Sequence, residues 1–328
     1  MYGDVYALRV LTDPTKSASK VTVNAPAKSA LGKKLTVTGK VSSAGAFPAG
    51  AKVAVTRTDV ESPKGKALSP VTLKSDGSFS FTDTPTAGGQ VTYRVSYAGD
   101  ASRSAASGSD KVDVPRTVPT LTLNHNKALY AYGTDVSFTA HLGKTYKNRT
   151  VDLYVDPYGP DKPKKRVKSA KVNSKGDLSV TVDMTRDTTV TAVFAGDGKY
   201  APKTVTATAY AHVKVSTSIS KQYKTAKIGS TSYAYFHKKT NPLFTTTMSY
   251  YPGREQKLSL QLYYQGKWYD AGSQFFELGS NGKSAVTLTG THDTGYRMRV
   301  RSSYVNGASG DTVNSTTNGA WKYFYFTK

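Results

Sequence analysis

The chain of 328 residues contains no cysteine. Disulfide bridges, thiol catalysis and cysteine-bound zinc all need a sulfur atom, so the sequence excludes them. The five histidines are far apart, and no two have the spacing of a helical zinc site. We therefore expect no metal, and the lack of a Walker loop or a dinucleotide-binding fingerprint leads us to expect no cofactor.

Acidic residues are scarce, with 22 Asp and Glu against 45 Lys and Arg, which gives a net charge of +23. No pair of carboxylates and no nucleophile motif suggests hydrolysis, so we expect that the protein is not an enzyme. No run of about 18 apolar residues is present, so we expect no membrane span. The positive charge is spread along the chain, which favours general attraction to anionic polymers over sequence-specific binding of nucleic acid.

Alternation of apolar and polar residues is the main pattern that the chain does have. Residues 91–97 and 258–262 alternate with a period of two, as strands with one buried face do. Gly, Asn and Asp separate such runs at short intervals, and no stretch has the period of an amphipathic helix. The sequence therefore predicts an all-β protein.

An internal repeat gives the size of the structural unit. Three segments recur in the same order about a hundred residues later, which is the length of one immunoglobulin-like sandwich. These are 32–41 with 133–142, 71–81 with 170–180, and 97–100 with 194–197. The fold class that we predict is a tandem array of three immunoglobulin-like β-sandwiches.

Breaks in the strand pattern divide the chain. Pro115 and Pro119 interrupt the ladder after the first repeat, and a second boundary falls near 216–227. The predicted divisions are an N-terminal strand or linker at 1–17, and sandwiches at 18–115, 116–215 and 216–328, the last of them rich in aromatic residues.

The repeated motifs are those of a known group of modules. Residues 75–79 read Ser-Asp-Gly-Ser-Phe, 91–93 read Val-Thr-Tyr, and 97–100 read Tyr-Ala-Gly-Asp, with a copy at 194–197. Over residues 18–215 the chain resembles the bacterial immunoglobulin-like repeats of secreted actinobacterial Ig-like domain repeat proteins. Those repeats lack the disulfide and the core tryptophan of antibody domains, and so does this part of the chain.

The resemblance also implies a setting for the protein. In that family a signal peptide and a β-propeller often precede the repeats, and residues 3–11 look like a final propeller strand. The resemblance therefore implies a secreted, extracellular protein of a bacterial cell surface, to which further segments belong upstream of this one.

A run of alternating arginines is the first candidate for a ligand-binding site. Arg297, Arg299 and Arg301 alternate with other residues, so in a strand their side chains project from one face about 7 Å apart. Like charges this close repel one another unless an anion or an aromatic ring shares the face. Two interpretations stay open: an anionic ligand binds there, or neighbouring aromatic rings stack on the guanidinium groups.

Aromatic residues flank a predicted hairpin in the same segment. Tyr263, Trp268 and Tyr269 surround a two-residue turn, and rings of this kind hold sugars in many β-sandwich modules. Cross-strand pairing of the rings would equally stabilise the hairpin. Residues 321–326 carry aromatics on both faces of a strand, so we expect that strand to belong to the core, covered on both faces or lying at a domain contact.

A cluster of cations forms a second candidate site. Lys162, Lys164, Lys165, Arg166 and Lys168 lie within seven residues, which predicts a hairpin tip. Such a cluster would attract a polyanion such as teichoic acid or extracellular DNA, or it would be a solvated loop that keeps the protein soluble.

The repeated Asp100 and Asp197 follow an Ala-Gly pair in each copy. Neither has a second acidic residue nearby, whereas calcium takes six to eight oxygen ligands. We therefore expect each carboxylate to stabilise its own turn.

Together these patterns predict a non-enzymatic extracellular segment. We expect it to bind anionic cell-envelope polymers, glycans or another protein domain through the third sandwich, as an adhesion or spacer module. The alternative is a purely structural stalk or a docking segment for an upstream β-propeller.

Overall fold

The computed structural model describes residues 15–143 and 147–328, so the predicted strand at 3–11 lies outside the described residues. Every regular element in this part of the chain is a β-strand, which confirms the all-β prediction. Within the same residues, no helix exists that is long and apolar enough to cross a membrane.

The chain forms two compact units. One comprises the chain through Pro119 together with Ala195–Lys203, and the other comprises Thr120–Phe194 and Thr204–Lys328. The strands of the first unit are β1 Lys20–Asn24, β2 Leu35–Ser42, β3 Lys52–Thr58, β4 Lys66–Thr72, β5 Ser78–Asp83, β6 Gly89–Tyr97 and β7 Ala106–Val114.

The first unit contains two antiparallel sheets, ordered β1-β2-β5 and β4-β3-β6-β7. Apolar side chains at alternate positions of both sheets meet in one core, in which Val37, Val55 and Tyr93 are almost completely buried. This arrangement is the sandwich that the alternation predicts, since each strand has only one apolar face to bury.

The second unit begins with another pair of sheets. Its strands are β8 Leu121–Leu123, β9 Leu129–Tyr130, β10 Thr134–Leu142, β11 Thr150–Pro157, β12 Lys165–Lys171, β13 Asp177–Met184, β14 Thr188–Phe194 and β15 Lys203–Ala211. They form sheets ordered β13-β10-β8 and β12-β11-β14-β15-β9. Phe138, Met184 and Val190 from these sheets share a buried core.

The second unit ends with a third pair of sheets. Its strands are β16 Val215–Ser220, β17 Lys224–Ile228, β18 Thr231–His237, β19 Leu243–Met248, β20 Glu255–Tyr264, β21 Lys267–Glu277, β22 Lys283–Thr287, β23 Arg297–Tyr304, β24 Thr317–Asn318 and β25 Lys322–Thr327. A three-stranded sheet, β16-β19-β22, packs on a seven-stranded sheet, β17-β18-β25-β23-β20-β21 with β24 beside β23. The fold is thus three tandem β-sandwiches, while the proposed domain boundaries stay a prediction.

The repeated segments occupy equivalent places in the first two pairs of sheets. β2 pairs with β1 and β5, and β10 pairs with β8 and β13 in the same way. Gly77 and Gly176 both have positive φ, and their carbonyls accept from Val41 and Leu142. A side chain at position 77 would collide with the Val41 carbonyl, which explains the glycine there.

A buried asparagine links the two sheet pairs of the second unit. Asn314, which follows β23, donates its amide hydrogens to the carbonyls of Thr185 at 3.0 Å and Ala211 at 3.2 Å. Its oxygen accepts from Arg254 Nη2 at 2.8 Å, and Arg254 also forms a buried ion pair with Asp311 at 2.7 Å. Asn314 therefore holds both sheet pairs through one side chain.

Asp187, which lies between β13 and β14, takes part in the same junction. Its carboxylate accepts from the Ala211 amide at 2.7 Å and the Ser315 hydroxyl at 3.3 Å, and its own amide donates to the Val313 carbonyl. Burial raises the pKa of Asp187, and these hydrogen bonds only partly oppose it. The junction is thus built from directional hydrogen bonds rather than from apolar contact alone.

The first unit contains a buried ionic network at one edge of its core. Arg57 contacts Asp59 at 2.9 Å and Asp83 at 3.0 Å, and the Tyr93 hydroxyl donates to Asp83 at 2.8 Å. Burial raises the pKa of Asp83, but hydrogen bonds from Tyr93 and Arg57 outweigh it and leave the pKa below its ordinary value.

Asp83→Ala is expected to lower the free energy of unfolding of the first unit by about 3 kcal/mol, because it leaves buried Arg57 and Tyr93 without that partner. Tyr93→Phe removes only one hydrogen bond and should cost about 1 kcal/mol. Since the Asp83 pKa is depressed, its contribution is present above about pH 4 and lost as the pH falls further. Urea unfolding of the full chain at pH 7 and pH 3 measures this, and equal losses in both variants would contradict it.

Candidate ligand-binding face of the seven-stranded sheet

Strand β23 places the predicted arginines on one face of the seven-stranded sheet. Val300 and Tyr304 are fully buried on its inner side, where they pack in the core. Arg297, Arg299 and Arg301 occupy the alternate positions, so their side chains project from the outer side. The structure therefore lines up the three arginines as the sequence predicts.

Neighbouring strands supply aromatic residues at the positions that pair with Arg297 and Arg299 in register. On one side β20 sets Tyr263 opposite Arg297 and Gln261 opposite Arg299. On the other side β25 sets Tyr325 opposite Arg297 and Tyr323 opposite Arg299. We call Arg297, Arg299, Arg301 and the rings that contact them the arginine ladder: the rings are those of Tyr263, Trp268 and Trp321.

Each guanidinium group of the arginine ladder lies on an aromatic ring. The Cζ atoms are 3.6 Å from the Tyr263 centroid for Arg297, 4.3 Å from both Trp268 and Trp321 for Arg299, and 4.5 Å from Trp321 for Arg301. Attraction between the cations and the ring quadrupoles offsets the repulsion along β23. The stacking interpretation of the three arginines thus describes the geometry correctly.

Stacking leaves the positive charge of the arginine ladder without a counterion. Among the described residues, no carboxylate lies within 4.0 Å of Arg297, Arg299 or Arg301. Arg299 donates from Nε and Nη2 to Gln261, a neutral acceptor. Three unneutralised cations on one partly exposed face form an electrostatic site for an anion.

The Tyr233 phenol beside Arg297 does not neutralise the charge either. Burial raises the pKa of Tyr233, and the nearby Arg297 only partly opposes that rise. Tyr233 is therefore neutral at physiological pH, and the arginine ladder keeps its full charge.

The predicted two-residue hairpin is present between β20 and β21. Gln265 and Gly266 both have positive φ, at 44° and 85°, as a tight hairpin with matched twist requires. The turn sets Tyr263 opposite Trp268, with ring centroids 5.1 Å apart in an edge contact. The hairpin thereby brings Trp268 to the Arg299 guanidinium.

The structure separates the third ring of the predicted sugar site from the other two. Tyr269 pairs with Leu262, so its side chain lies on the face opposite to Trp268, with 48% of it exposed. The rings of Tyr263 and Trp268 already carry Arg297 and Arg299. The three aromatics therefore do not form one open platform for a sugar ring.

The expectation of core on both faces of strand 321–326 holds for one face only. Phe324 and Phe326 are buried in the core, whereas Trp321, Tyr323 and Tyr325 are only partly buried on the outer face. Sequence reasoning missed Trp321 as a member of the arginine ladder. Residues that alternate with buried Phe324 face outward, and this period of two was the available signal. Both sets of alternate positions in β25 carry aromatics, so the sequence pattern does not show which set is buried.

The cation–aromatic pattern continues beyond the arginine ladder. Lys224 on β17 lies 5.1 Å from the Tyr235 centroid and 5.5 Å from that of Tyr223. Tyr235 in turn contacts Tyr325 with centroids 5.2 Å apart. Together with β20, β21 and β23, six strands of the sheet thus contribute to one surface of stacked rings and cations.

The predicted cation cluster does not form a single hairpin tip. Lys162 and Lys164 lie in the connection between β11 and β12, whereas Lys165, Arg166 and Lys168 lie within β12 itself. The correction has a physical reason: β12 is an edge strand with only one neighbour, so it remains exposed and tolerates charge along its length.

Some of these charges already have local partners. Arg166 approaches Asp152 at 3.8 Å, and Lys168 donates to the Ser179 carbonyl at 2.8 Å. Cations on an edge strand also oppose pairing with a second sheet. The solvated interpretation of this cluster therefore agrees with its contacts, and binding of a polyanion there stays a prediction.

The repeated aspartates act within their turns, as expected. Asp100 accepts from the Ser102 amide at 2.8 Å and from the Tyr97 hydroxyl at 2.7 Å. Asp197 accepts from the amides of Lys199 and Tyr200, both at 2.8 Å. Because these bonds favour the ionised form, led by that from Tyr97, the pKa of Asp100 falls to about 2.

The inner side of β20 and β21 lines a groove of about 480 Å³ with both apolar and polar residues. Leu258, Leu260 and Phe276 face it from this sheet, and Leu288 faces it from the segment after β22. The groove lies on the other side of the sheet from the arginine ladder and has no arginine in its lining, so the two are separate features.

No protein-family model matches the chain, and no curated protein does. Trypsin-activated alpha-2-macroglobulin from Escherichia coli is 13% identical, at a TM-score of 0.26, over 98% of this chain and 24% of its own. The FN1-FN3 domains of chicken CNTN1 are 12% identical, at 0.28, over 95% of this chain and 100% of theirs. Dimeric latent PorU from Porphyromonas gingivalis is 11% identical, at 0.25, over 96% and 34%.

The chain spans about a quarter of the length of the macroglobulin that it matches. TM-scores this low do not establish a shared structure. The sandwich fold is established by the sheets described above.

The contact between Arg301 and Trp321 predicts a measurable coupling. Arg301→Gln and Trp321→Leu, made singly and together, should show a favourable coupling of about 0.5–1 kcal/mol in the free energy of unfolding. The same cycle with Arg94→Gln, on the exposed face of the first unit, serves as the control and should give no coupling. Urea unfolding of the full-length variants measures both, and equal values in the two cycles would refute the contact.

Proposed function

We propose that the chain is a non-enzymatic extracellular binding segment whose third sandwich attaches to an anionic polymer through the arginine ladder. The observation that carries the proposal is the set of three guanidinium groups without a carboxylate partner among the described residues. A polyanion supplies the missing counterions, and its many charges engage several arginines at once.

The pre-ordering of the arginines supports this proposal. A free arginine side chain loses about 2 kcal/mol of rotamer entropy when a ligand immobilises it. Here the rings of Tyr263, Trp268 and Trp321 already fix the guanidinium planes, so much of that cost falls on folding rather than on binding. The guanidinium groups present N–H donors that match phosphate and carboxylate oxygens, and in Arg299 the Nε–Nη2 fork already donates to Gln261.

The edge-strand cluster around Lys165 is a less favourable site for the same ligand. Its side chains are exposed and have no rings to order them beyond Lys164, which lies 5.5 Å from the Tyr154 centroid. Such a cluster raises the local concentration of a polyanion without fixing its position. We assign it an auxiliary electrostatic role.

A structural stalk, or a docking segment for a preceding domain, is the second candidate function. The hydrogen-bonded junction at Asn314 and Asp187 favours it, because this junction holds two sandwiches together within one unit. Such a junction serves a spacer equally well as a binding module. The two functions differ in whether the arginine ladder has a ligand.

Binding of the full chain to an immobilised polyanion tests the proposal. Association should weaken as salt rises, because ion pairs with the polymer release counterions. The triple variant Arg297→Gln, Arg299→Gln, Arg301→Gln should lower the slope of log affinity against log salt by about 2. The three lost contacts would each have released about 0.7 counterions, the value for a phosphate of a single-stranded nucleic acid.

The matched control removes the same number of charges from the cation cluster at and just before the edge strand, by Lys164→Gln, Lys165→Gln and Arg166→Gln. It should weaken binding less than the arginine-ladder variant at every salt concentration. Equal losses in the two variants would show that binding is not centred on the arginine ladder. No retention of the wild-type chain at low salt would remove the binding function and leave the stalk. Arg299→Lys, which keeps the charge, guards against an effect of misfolding in the triple variant.

A further inference from the structure

The spacing of the arginine ladder is set by the geometry of its strand. Two residues of a strand contain six backbone bonds and advance about 6.8 Å, so Arg297, Arg299 and Arg301 repeat at that interval. The rings of Tyr263 on β20, Trp268 on β21 and Trp321 just before β25 hold the guanidinium groups in place. A ligand that engages all three in an extended conformation therefore repeats its charge at a similar interval.

Few simple polyanions repeat their charge at this distance. A polyol phosphate with three carbons between successive phosphodiesters has six backbone bonds per charge, as two residues of a strand do. Fully extended, it advances about 7 Å per phosphate, because its bonds are similar in length to those of the peptide backbone. A five-carbon polyol phosphate has eight bonds per charge and must fold its chain to reach this interval, while inorganic polyphosphate has two bonds per charge and spaces its phosphates far more closely.

The chemistry of the groups agrees with the spacing. Guanidinium forks form two parallel hydrogen bonds with a phosphate, and such bonds are among the strongest between a side chain and an anion. A phosphodiester also keeps its charge at every physiological pH. Its two free oxygens point away from the polymer backbone, towards a row of donors.

The occupied ring faces favour a polymer without bases. A single-stranded nucleic acid also has six backbone bonds per phosphate, but proteins bind it largely by stacking bases on aromatic rings. Trp268 carries Arg299, and Trp321 carries both Arg299 and Arg301. The two indoles thus already have cations on their faces, whereas a bare polyol phosphate needs only the charges.

We propose that the arginine ladder binds a poly(glycerol phosphate)-type chain, with successive phosphodiesters on Arg297, Arg299 and Arg301. This inference rests on the proposed function and adds the class of polymer. It also assigns a role to the aromatic rings, which hold the arginines in register with the polymer rather than contact its carbon chain.

Synthetic oligomers test the register separately from the charge. Decamers of propane-1,3-diol phosphate and of pentane-1,5-diol phosphate carry the same number of phosphates with six and eight bonds per repeat. The full chain should bind the six-bond decamer about tenfold more tightly, because the longer repeat loses at least one arginine contact. Titration at fixed salt, followed by fluorescence of Trp268 and Trp321, measures both affinities.

Variants assign this preference to the ladder. Arg299→Gln should reduce the tenfold preference to below about twofold, whereas Lys164→Gln, Lys165→Gln and Arg166→Gln together should weaken both decamers equally and keep the preference. Arg299→Lys keeps the charge but lacks the fork, so it should bind both decamers with a reduced preference.

The outcomes separate this inference from the proposed function. Equal affinity for both decamers, lost in the triple arginine variant, would overturn the register and keep binding of a polyanion. Tighter binding of oligothymidylate than of the six-bond decamer would overturn it in favour of stacked bases. Failure of every polyanion to bind would remove the proposed function as well.

Discussion

Repulsion among three arginines on one strand face is the interaction around which the third sandwich is organised. The inner side of β23 is committed to the core through Val300 and Tyr304, so the arginines at the alternate positions have no other direction in which to point. Rings from β20, β21 and the residue just before β25 then lie against their guanidinium groups.

The ring contacts give the face two properties that a ligand site needs. The side chains are ordered before any ligand arrives, and their charge is not consumed by a carboxylate among the described residues. Exposed ion pairs elsewhere show the contrast, since the Arg186 guanidinium lies 2.7 Å from Asp161 and is satisfied locally. An arginine held by a ring retains its attraction for an anion, whereas one held by a carboxylate does not.

Strand periodicity and turn chemistry made much of this arrangement predictable. Alternation placed the arginines on one face, and Gln265-Gly266 produced the hairpin, since both features depend on neighbouring residues alone. Trp321 was misassigned because its strand has aromatics at both alternate positions, so the pattern does not distinguish core from surface. The cation cluster was misassigned because the start of β12 is set by pairing with β11, a contact between separate segments.

The sequence by itself determined the all-β class, the repeat of the first two sandwiches, the direction of the three arginines and the positions of the tight turns. These depend on backbone conformation and on the period of two, which are local properties. Only the tertiary structure decided which rings meet which arginines, and that Asn314 and Asp187 join two sandwiches. Those contacts depend on strand order and register, which bring together residues as far as 129 positions apart in the chain.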